Sequence, residues 1–283
     1  RPNDYEFMLK GIAIGKGEVY PDRFLAMNSG LVTNEIEGIP TKEPAFGLDA
    51  LWIDKELKEE AIVRGYTVVD PSTVMTTHLS ELIKRYAEEV VTRQDIQTLI
   101  DKMRKDYSVI VDDVMKVASL GLLQRVLKAL LHEKIPIKDL VTILETVADV
   151  AEMTKNVDII VEQVRAKLFR VITNLYKSED GTLKLLTFNT ASEQRLIEKV
   201  KEQNGSRSLL LSVGEINTLV EVVGSHAQKV LERGVAPVIV IVDPALRKSL
   251  AETFERFGLD VVVLSHAEVD PTAKFEVLGS IEL

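Results

Sequence analysis

A strand-like run rich in apolar residues opens the chain at residues 5–14. The two glycines within residues 15–17 then predict a turn, and residues 18–20 predict the returning strand of a β-hairpin. Because two strands with one partly apolar face are not stable alone, this hairpin needs a packing partner elsewhere in the chain.

An amphipathic helix is the predicted partner of the hairpin. Asp70-Pro71 stops a β-branched run, and Ser72 or Thr73 is placed to cap a helix that continues to about Val90. If this helix packs on the hairpin, residues 22–70 are an insertion between two parts of one domain. The apolar positions of the helix follow one stripe: Val74, Leu79, Leu82, Ile83, Tyr86 and Val90.

The middle of the chain, residues 91–170, carries apolar residues at helical spacing with short connections, which predicts a helical bundle. Residues 120–151 resemble a helix-turn-helix in outline. The helix that would enter the major groove carries Asp139, Glu145 and Asp149 and few basic residues, so DNA phosphates would repel it. Two packed structural helices are therefore favoured, and a helical nucleic-acid binder is the alternative.

The last part of the chain, residues 171–283, has a different pattern. Residues 236–242 and 260–264 are continuous apolar runs, as in strands that are buried on both faces of a parallel sheet. Residues 244–257 between them predict a helix, so one right-handed βαβ unit is expected. Residues 275–281 predict an additional edge strand.

The amino-acid composition argues against several classes of function. The 283 residues contain no cysteine, which removes disulfides, thiolate metal sites and cysteine nucleophiles. The net charge of −9 argues against general binding to nucleic-acid phosphates. No apolar run is long enough for a membrane span, and the first residues do not have the charged-then-apolar pattern typical of a signal peptide. The chain begins without an initiator methionine, so we expect it to be a piece of a longer protein.

Catalytic motifs are not found. The loop after residues 236–242 has no glycine cradle for phosphates, no GxSxG motif occurs, and the four histidines lie on separate segments. Asp243 could be a phospho-acceptor or a metal ligand, but an N-cap before Pro244 is favoured. We therefore predict a protein that is not an enzyme and needs no cofactor or metal. The alternative is a phospho-acceptor or enzymatic regulator that uses Asp243 in the C-terminal α/β domain.

Three long phrases of the sequence carry a family resemblance. EPAFGLDALWI at residues 43–53, GYTVVDPSTVMTTHL at residues 65–79 and EKIPIKDLVTILETVADV at residues 133–150 resemble the FHIPEP export-gate family of flagellar and virulence type III secretion. They resemble its flagellar branch most. The family's full-length protein has a membrane-spanning N-terminal half, and this chain resembles most of the other, cytoplasmic half.

The resemblance implies an α+β and α/β architecture with several subdomains. The first is an N-terminally truncated α/β subdomain made of residues 1–21 and 71–90, and residues 22–70 form a small α/β subdomain inserted into it. A helical third subdomain at residues 91–170 and a C-terminal α/β subdomain with the parallel βαβ unit at residues 171–283 complete the expected arrangement.

A possible binding surface surrounds two turns. Phe46 follows Glu43-Pro44 in a turn, where a large aromatic residue often faces outward, while Val69 and Val74 flank Asp70-Pro71. From the residues alone, a shallow apolar groove for a partner helix and an ordinary core are both possible, and the core is favoured. The resemblance instead implies a chaperone-docking site whose positions match Glu43, Phe46, Leu48, Val69, Val74 and Thr77.

The resemblance also implies partners. The family docks export chaperones that carry flagellar cargo, and the position of Glu43 often holds aspartate in the family. The other implied partners are the export ATPase complex and further export-gate membrane proteins, but not nucleic acid. The family forms a nine-membered ring through its helical third subdomain, here residues 91–170. This chain is expected to be the cytoplasmic domain of a bacterial inner-membrane protein.

Overall fold

The computed structural model describes residues 1–283, and the chain in it separates into two units between Val90 and Val91. The finer division into four subdomains stays a prediction. The elements of the first unit are strands β1 Asp4–Leu9, β2 Ile12–Glu18, β3 Arg23–Met27, β4 Ile39–Lys42, β5 Asp49–Asp54 and β6 Thr67–Val69, and helices α1 Lys58–Val63, α2 Pro71–Arg85 and α3 Ala87–Val90.

A four-stranded sheet and a separate hairpin form the first unit. The sheet has the order β4-β5-β3-β6, and each neighbouring pair is antiparallel. Helix α2 packs on β3 of the sheet and on β2 of the hairpin, so the hairpin has the helical partner that its sequence requires. The cap of α2 is Asp70 and not Ser72 or Thr73, because the Asp70 carboxylate accepts the Thr73 amide at 2.7 Å.

The turn of the hairpin was predicted at the wrong place. The chain turns at Lys10 and Gly11, whose φ angles are 51° and 81°, and residues 15–17 belong to β2. Gly15 is needed for close packing, since a Cβ atom there would lie 2.4 Å from Cδ1 of Leu82 in α2. Gly15 therefore lies where the strand and the helix approach closely. A sequence pattern alone does not distinguish such a glycine from a glycine in a turn.

The second unit contains helices and a parallel sheet. Its elements are α4 Arg93–Asp106, α5 Ser108–Val117, α6 Leu120–His132, α7 Leu140–Ala151, α8 Val157–Lys167, α9 Phe169–Tyr176, β7 Thr182–Phe188, α10 Thr190–Glu198, β8 Val200–Gln203, β9 Ser206–Leu209, α11 Val213–Glu232, β10 Ile239–Val242, α12 Pro244–Arg256, β11 Val262–Ser265 and β12 Lys274–Ile281. The mixed helical and α/β fold class expected from the sequence is confirmed.

The parallel sheet has the order β11-β10-β7-β12, and all its pairs are parallel. The predicted βαβ unit is β10-α12-β11, and the predicted edge strand is β12. Alternate residues of β10 enter different cores: Ile239 and Ile241 pack with the helices of the bundle, while Val240 and Val242 pack with α11 and α12. Burial on both faces explains the continuous apolar run.

A buried ion network joins the bundle to the α/β part of the second unit. Arg165 of α8 binds Glu268 through two hydrogen bonds of 2.7 and 2.8 Å. Arg247 of α12 binds Glu133, which follows α6, at 2.7 and 3.0 Å, and binds Glu162 of α8 as well. Burial would raise the pKa of Glu133, but the hydrogen bonds and charge of Arg247 lower it to about 2.

Replacing Arg247 by methionine is expected to destabilise the second unit by about 3–5 kcal/mol, because Glu133 and Glu162 lose the guanidinium that compensates their burial. Urea unfolding followed by circular dichroism measures the change. Arg104→Met is the matched control, since it breaks only the exposed pair with Asp112, which is worth less than about 1 kcal/mol. Equal losses in both variants would contradict a special role for the buried network.

Candidate functional site

The Glu43 turn, residues 43–48, connects β4 to β5 and contains three of the predicted site residues. The Gly47 amide donates to the Glu43 carbonyl, and the Glu43 amide donates to the Leu48 carbonyl, both at 2.8 Å. Gly47 has a φ of 70°, which favours glycine at this position. The sequence therefore folds locally into a closed loop.

The Glu43 side chain holds this turn from inside. Its two carboxylate oxygens accept the amides of Ala45 and Phe46 at 2.8 and 2.7 Å. Only 2% of the residue is accessible to solvent, so the Glu43 carboxylate supports the turn in this structure. The Phe46 side chain is 60% exposed, which excludes the core position that the residues alone favoured.

Val69 and Val74 lie together in a small core. Val69 ends β6, where it pairs with Leu25 of β3, and Val74 lies in α2. Both pack with Leu25 and Trp52, and Val74 is only 2% exposed. These valines therefore belong to the core of the first unit, and Val74 has almost no exposed area in this structure.

Leu48 and Thr77 are both partly exposed, so they are open to a partner to some degree. Within the first unit, the structure thus gathers the six predicted residues into two groups, the Glu43 turn and the junction of β6 with α2. Whether a chaperone touches them stays a prediction.

Tyr5 and His78 are functional-site candidates that the sequence analysis missed. The Tyr5 hydroxyl is 2.7 Å from Nδ1 of His78, and the two rings meet edge to face with centroids 5.7 Å apart. Burial, together with the nearby charge of Glu43, raises the pKa of Tyr5 to about 12. Burial lowers the pKa of His78, although the same Glu43 charge opposes this shift. The charge of Glu43 thus acts on the pKa of both side chains.

The predicted stripe of α2 concealed His78. The buried residues of the helix are Val74, His78 and Leu82, which follow each other at intervals of four residues. Leu79 and Ile83 were placed in the stripe but are exposed. A histidine with a hydrogen-bond partner can occupy a core position. A stripe drawn from apolar residues alone therefore assigns the wrong face of the helix to the core.

A cleft of about 1010 Å³ opens between the hairpin and the Glu43 turn. Tyr5 and Met8 line the hairpin side, and Glu43 and Pro44 line the side of the turn. Charged residues of both signs surround it: Arg1, Asp4, Glu6, Lys16, Glu18 and Lys42. A cleft of this kind can hold an apolar side chain of a partner and orient it by polar groups at the rim.

The other candidate sites have structural roles in the second unit. The Asp243 carboxylate accepts the Ala245 amide at 2.9 Å and caps α12, as the favoured interpretation predicted. Helices α6 and α7 bury most of their apolar residues in the bundle core.

No group of three or more His, Cys, Asp or Glu side chains is arranged to hold a metal ion. None of the helices combines the length and the apolar character that crossing a bilayer requires.

Acidification is expected to destabilise the first unit through His78. Its pKa in the folded chain lies below the ordinary 6.5, so the unfolded chain takes up the proton first as the pH falls. The free energy of unfolding should therefore decrease as the pH falls below about 7. Fluorescence of Trp52, the single tryptophan, reports this unit because the residue is buried in it.

His78→Phe should weaken this pH dependence, since the ring remains but no proton is taken up. His266→Phe, an exposed histidine of the second unit, is the control and should leave the dependence of the Trp52 signal unchanged. A pH dependence that persists in full in His78→Phe would assign it to other groups.

Known proteins match the chain over its whole length. It is 58% identical over 283 residues to flagellar biosynthesis protein FlhA of Helicobacter pylori strain J99, and the match covers all of this chain and 38% of that protein. FlhA of Bacillus subtilis strain 168 is 35% identical over 284 residues, covering 100% of this chain and 42% of the relative. The chain thus spans about two fifths of the length of these curated relatives.

Solved structures share the fold. The Chlamydia pneumoniae CdsV protein matches 99% of this chain and 80% of its own with a TM-score of 0.82 at 22% identity. The nonameric SctV-C of EPEC matches 98% of this chain and 83% of its own with a TM-score of 0.74 at 23% identity. At the level of sequence, the FHIPEP family profile matches residues 1–274. The chain is therefore a member of the FHIPEP family.

Proposed function

We propose that this chain is the cytoplasmic docking platform of a flagellar type III protein export gate. In this role it binds export chaperones that carry flagellar cargo, and it contributes no catalytic step of its own. The names of the relatives, flagellar biosynthesis protein FlhA, support the assignment to flagellar assembly. Because the chain spans only part of those relatives, it supplies the docking part of a larger export protein.

The exposed ring of Phe46 is the observation that carries this proposal. A phenylalanine that is 60% exposed on a turn fixed by four hydrogen bonds is already ordered before a partner arrives. Rigid aromatic residues contribute most to protein interfaces, since they bury a large apolar area and lose little conformational freedom. The cleft beside the turn gives the partner's side chains a place to enter.

The further partners follow from the structural neighbours. The cytosolic domains of SctV and EscV are nonameric, and we propose the same ring for the full-length protein, built through residues 91–170. CdsV has been solved in complex with CdsO, which supports a second docking partner, and we assign that role to the export ATPase complex. Other export-gate proteins of the inner membrane complete the assembly that we propose.

Phe46→Ala is expected to weaken chaperone binding about thirtyfold, or by about 2 kcal/mol, because a central aromatic anchor is removed. Calorimetric titration with a purified flagellar export chaperone, free and loaded with cargo, measures this change. For the parent chain, we expect a dissociation constant of about 1 μM. Circular dichroism confirms that the variant is folded.

Phe275→Ala is the matched control, since Phe275 is an exposed phenylalanine on β12 of the second unit. It should leave the affinity unchanged. Unchanged binding by Phe46→Ala, or an equal loss in both variants, would remove Phe46 from the docking site.

A further inference from the structure

The negative charge of Glu43 is buried without a cation beside it. The adjacent Lys42 forms its ion pair with Asp49 on the opposite strand. The Glu43 oxygens instead receive the amides of Ala45 and Phe46. A carboxylate that is removed from water is costly unless hydrogen bonds replace its hydration. In this structure the two amides therefore take the place of water at the buried carboxylate.

Tyr5 and Glu43 line the same cleft between the hairpin and the Glu43 turn, and His78 is joined to Tyr5 by a hydrogen bond. The His78 ring is enclosed on several sides. Tyr5 and Phe7 of β1 meet it edge to face, with centroids at 5.7 and 5.5 Å. Gly15 of β2 leaves space for its other edge, since a Cβ atom there would lie 3.0 Å from Nε2.

The hydrogen bond between Tyr5 and His78 connects the hairpin to α2. Tyr5 belongs to β1, His78 belongs to α2, and the bond of 2.7 Å joins residues that are 73 positions apart. The two rings also pack on each other edge to face. Both atoms of the bond are satisfied only by each other, so the loss of one leaves a polar atom that attracts water.

We propose that Tyr5 and His78 are positioning residues of the docking site, which keep water away from Glu43 so that its carboxylate holds the Ala45 and Phe46 amides. This inference rests on the proposed function, because the turn that they hold is the one that presents Phe46. Neither residue needs to touch the partner. The hairpin thereby becomes part of the docking site through its effect on the turn.

Hydrogen exchange of single amides, followed by NMR on the full chain, tests the proposal directly. Tyr5→Phe keeps the ring but removes the hydroxyl, so water should enter beside His78 and reach Glu43. The Phe46 amide should then exchange at least about tenfold faster. The Thr73 amide, which the exposed Asp70 carboxylate holds, is the internal reference and should not change.

Tyr20→Phe is the matched control within the same unit, since the Tyr20 ring packs on Trp52 and lies outside the Tyr5–His78 pair. Protection of the Phe46 amide should be unchanged in this variant. Trp52 fluorescence verifies that each variant keeps the fold of the first unit.

The double variant Tyr5→Phe/His78→Phe separates positioning from simple loss of stability. Both atoms of the hydrogen bond are removed and two aromatic rings can still pack on each other, so the Phe46 amide should regain most of its protection. A merely destabilising change would add to the first one instead. The proposal is overturned if Tyr5→Phe leaves the Phe46 amide protected, or if the double variant exchanges as fast as Tyr5→Phe or faster.

Chaperone titration of the same variants distinguishes the two proposals. If both are correct, Tyr5→Phe binds more weakly and the double variant recovers. If Phe46→Ala binds as well as the parent while Tyr5→Phe still releases the Phe46 amide, the docking assignment is wrong and the positioning of the turn stands. If Phe46→Ala loses binding while Tyr5→Phe leaves the exchange rate of the Phe46 amide unchanged, the docking site stands and the positioning proposal is wrong.

Discussion

Two arginines that water does not reach hold the second unit together. Burying a guanidinium costs free energy unless carboxylates bind it with good geometry. The carboxylate partners of Arg165 and Arg247 must therefore all be in place in the folded unit. Those partners come from the end of α6, from α8 and from the turn after β11. Apolar packing alone permits small shifts between helices and sheet. The ion network fixes which turn of each helix faces the sheet.

The first unit uses buried charge on a smaller scale and for a different purpose. Glu43 receives two backbone amides and no cation, so it orders one turn and not a whole interface. The result is an aromatic side chain that stays exposed at a fixed place while its support is buried. In the docking role that we propose for Phe46, affinity would depend on how well this support is maintained, because an ordered side chain loses little freedom on binding.

Sequence patterns predicted the fold class and most elements, but not features that depend on contacts between distant residues. The parallel strands were recognisable because burial on both faces leaves a continuous apolar run, as in β10. Gly15 was mistaken for a turn residue because its close packing on Leu82 is visible only in three dimensions. His78 was overlooked since its burial depends on Tyr5, far away in the sequence. For the site, the resemblance supplied the residues, and only the structure separates exposed Phe46 from the buried supports.

The position of β12 in the sheet has a consequence for synthesis of the chain. Strand β7 lies between β10 and β12, and its longest pairing is with β12, which follows every other strand of this unit in the sequence. One edge of β7 thus stays open until β12 has been synthesised. The antiparallel pairs of the first unit join segments that are close in sequence, so that unit can fold earlier. During translation, the second unit is therefore the part that relies on protection from aggregation.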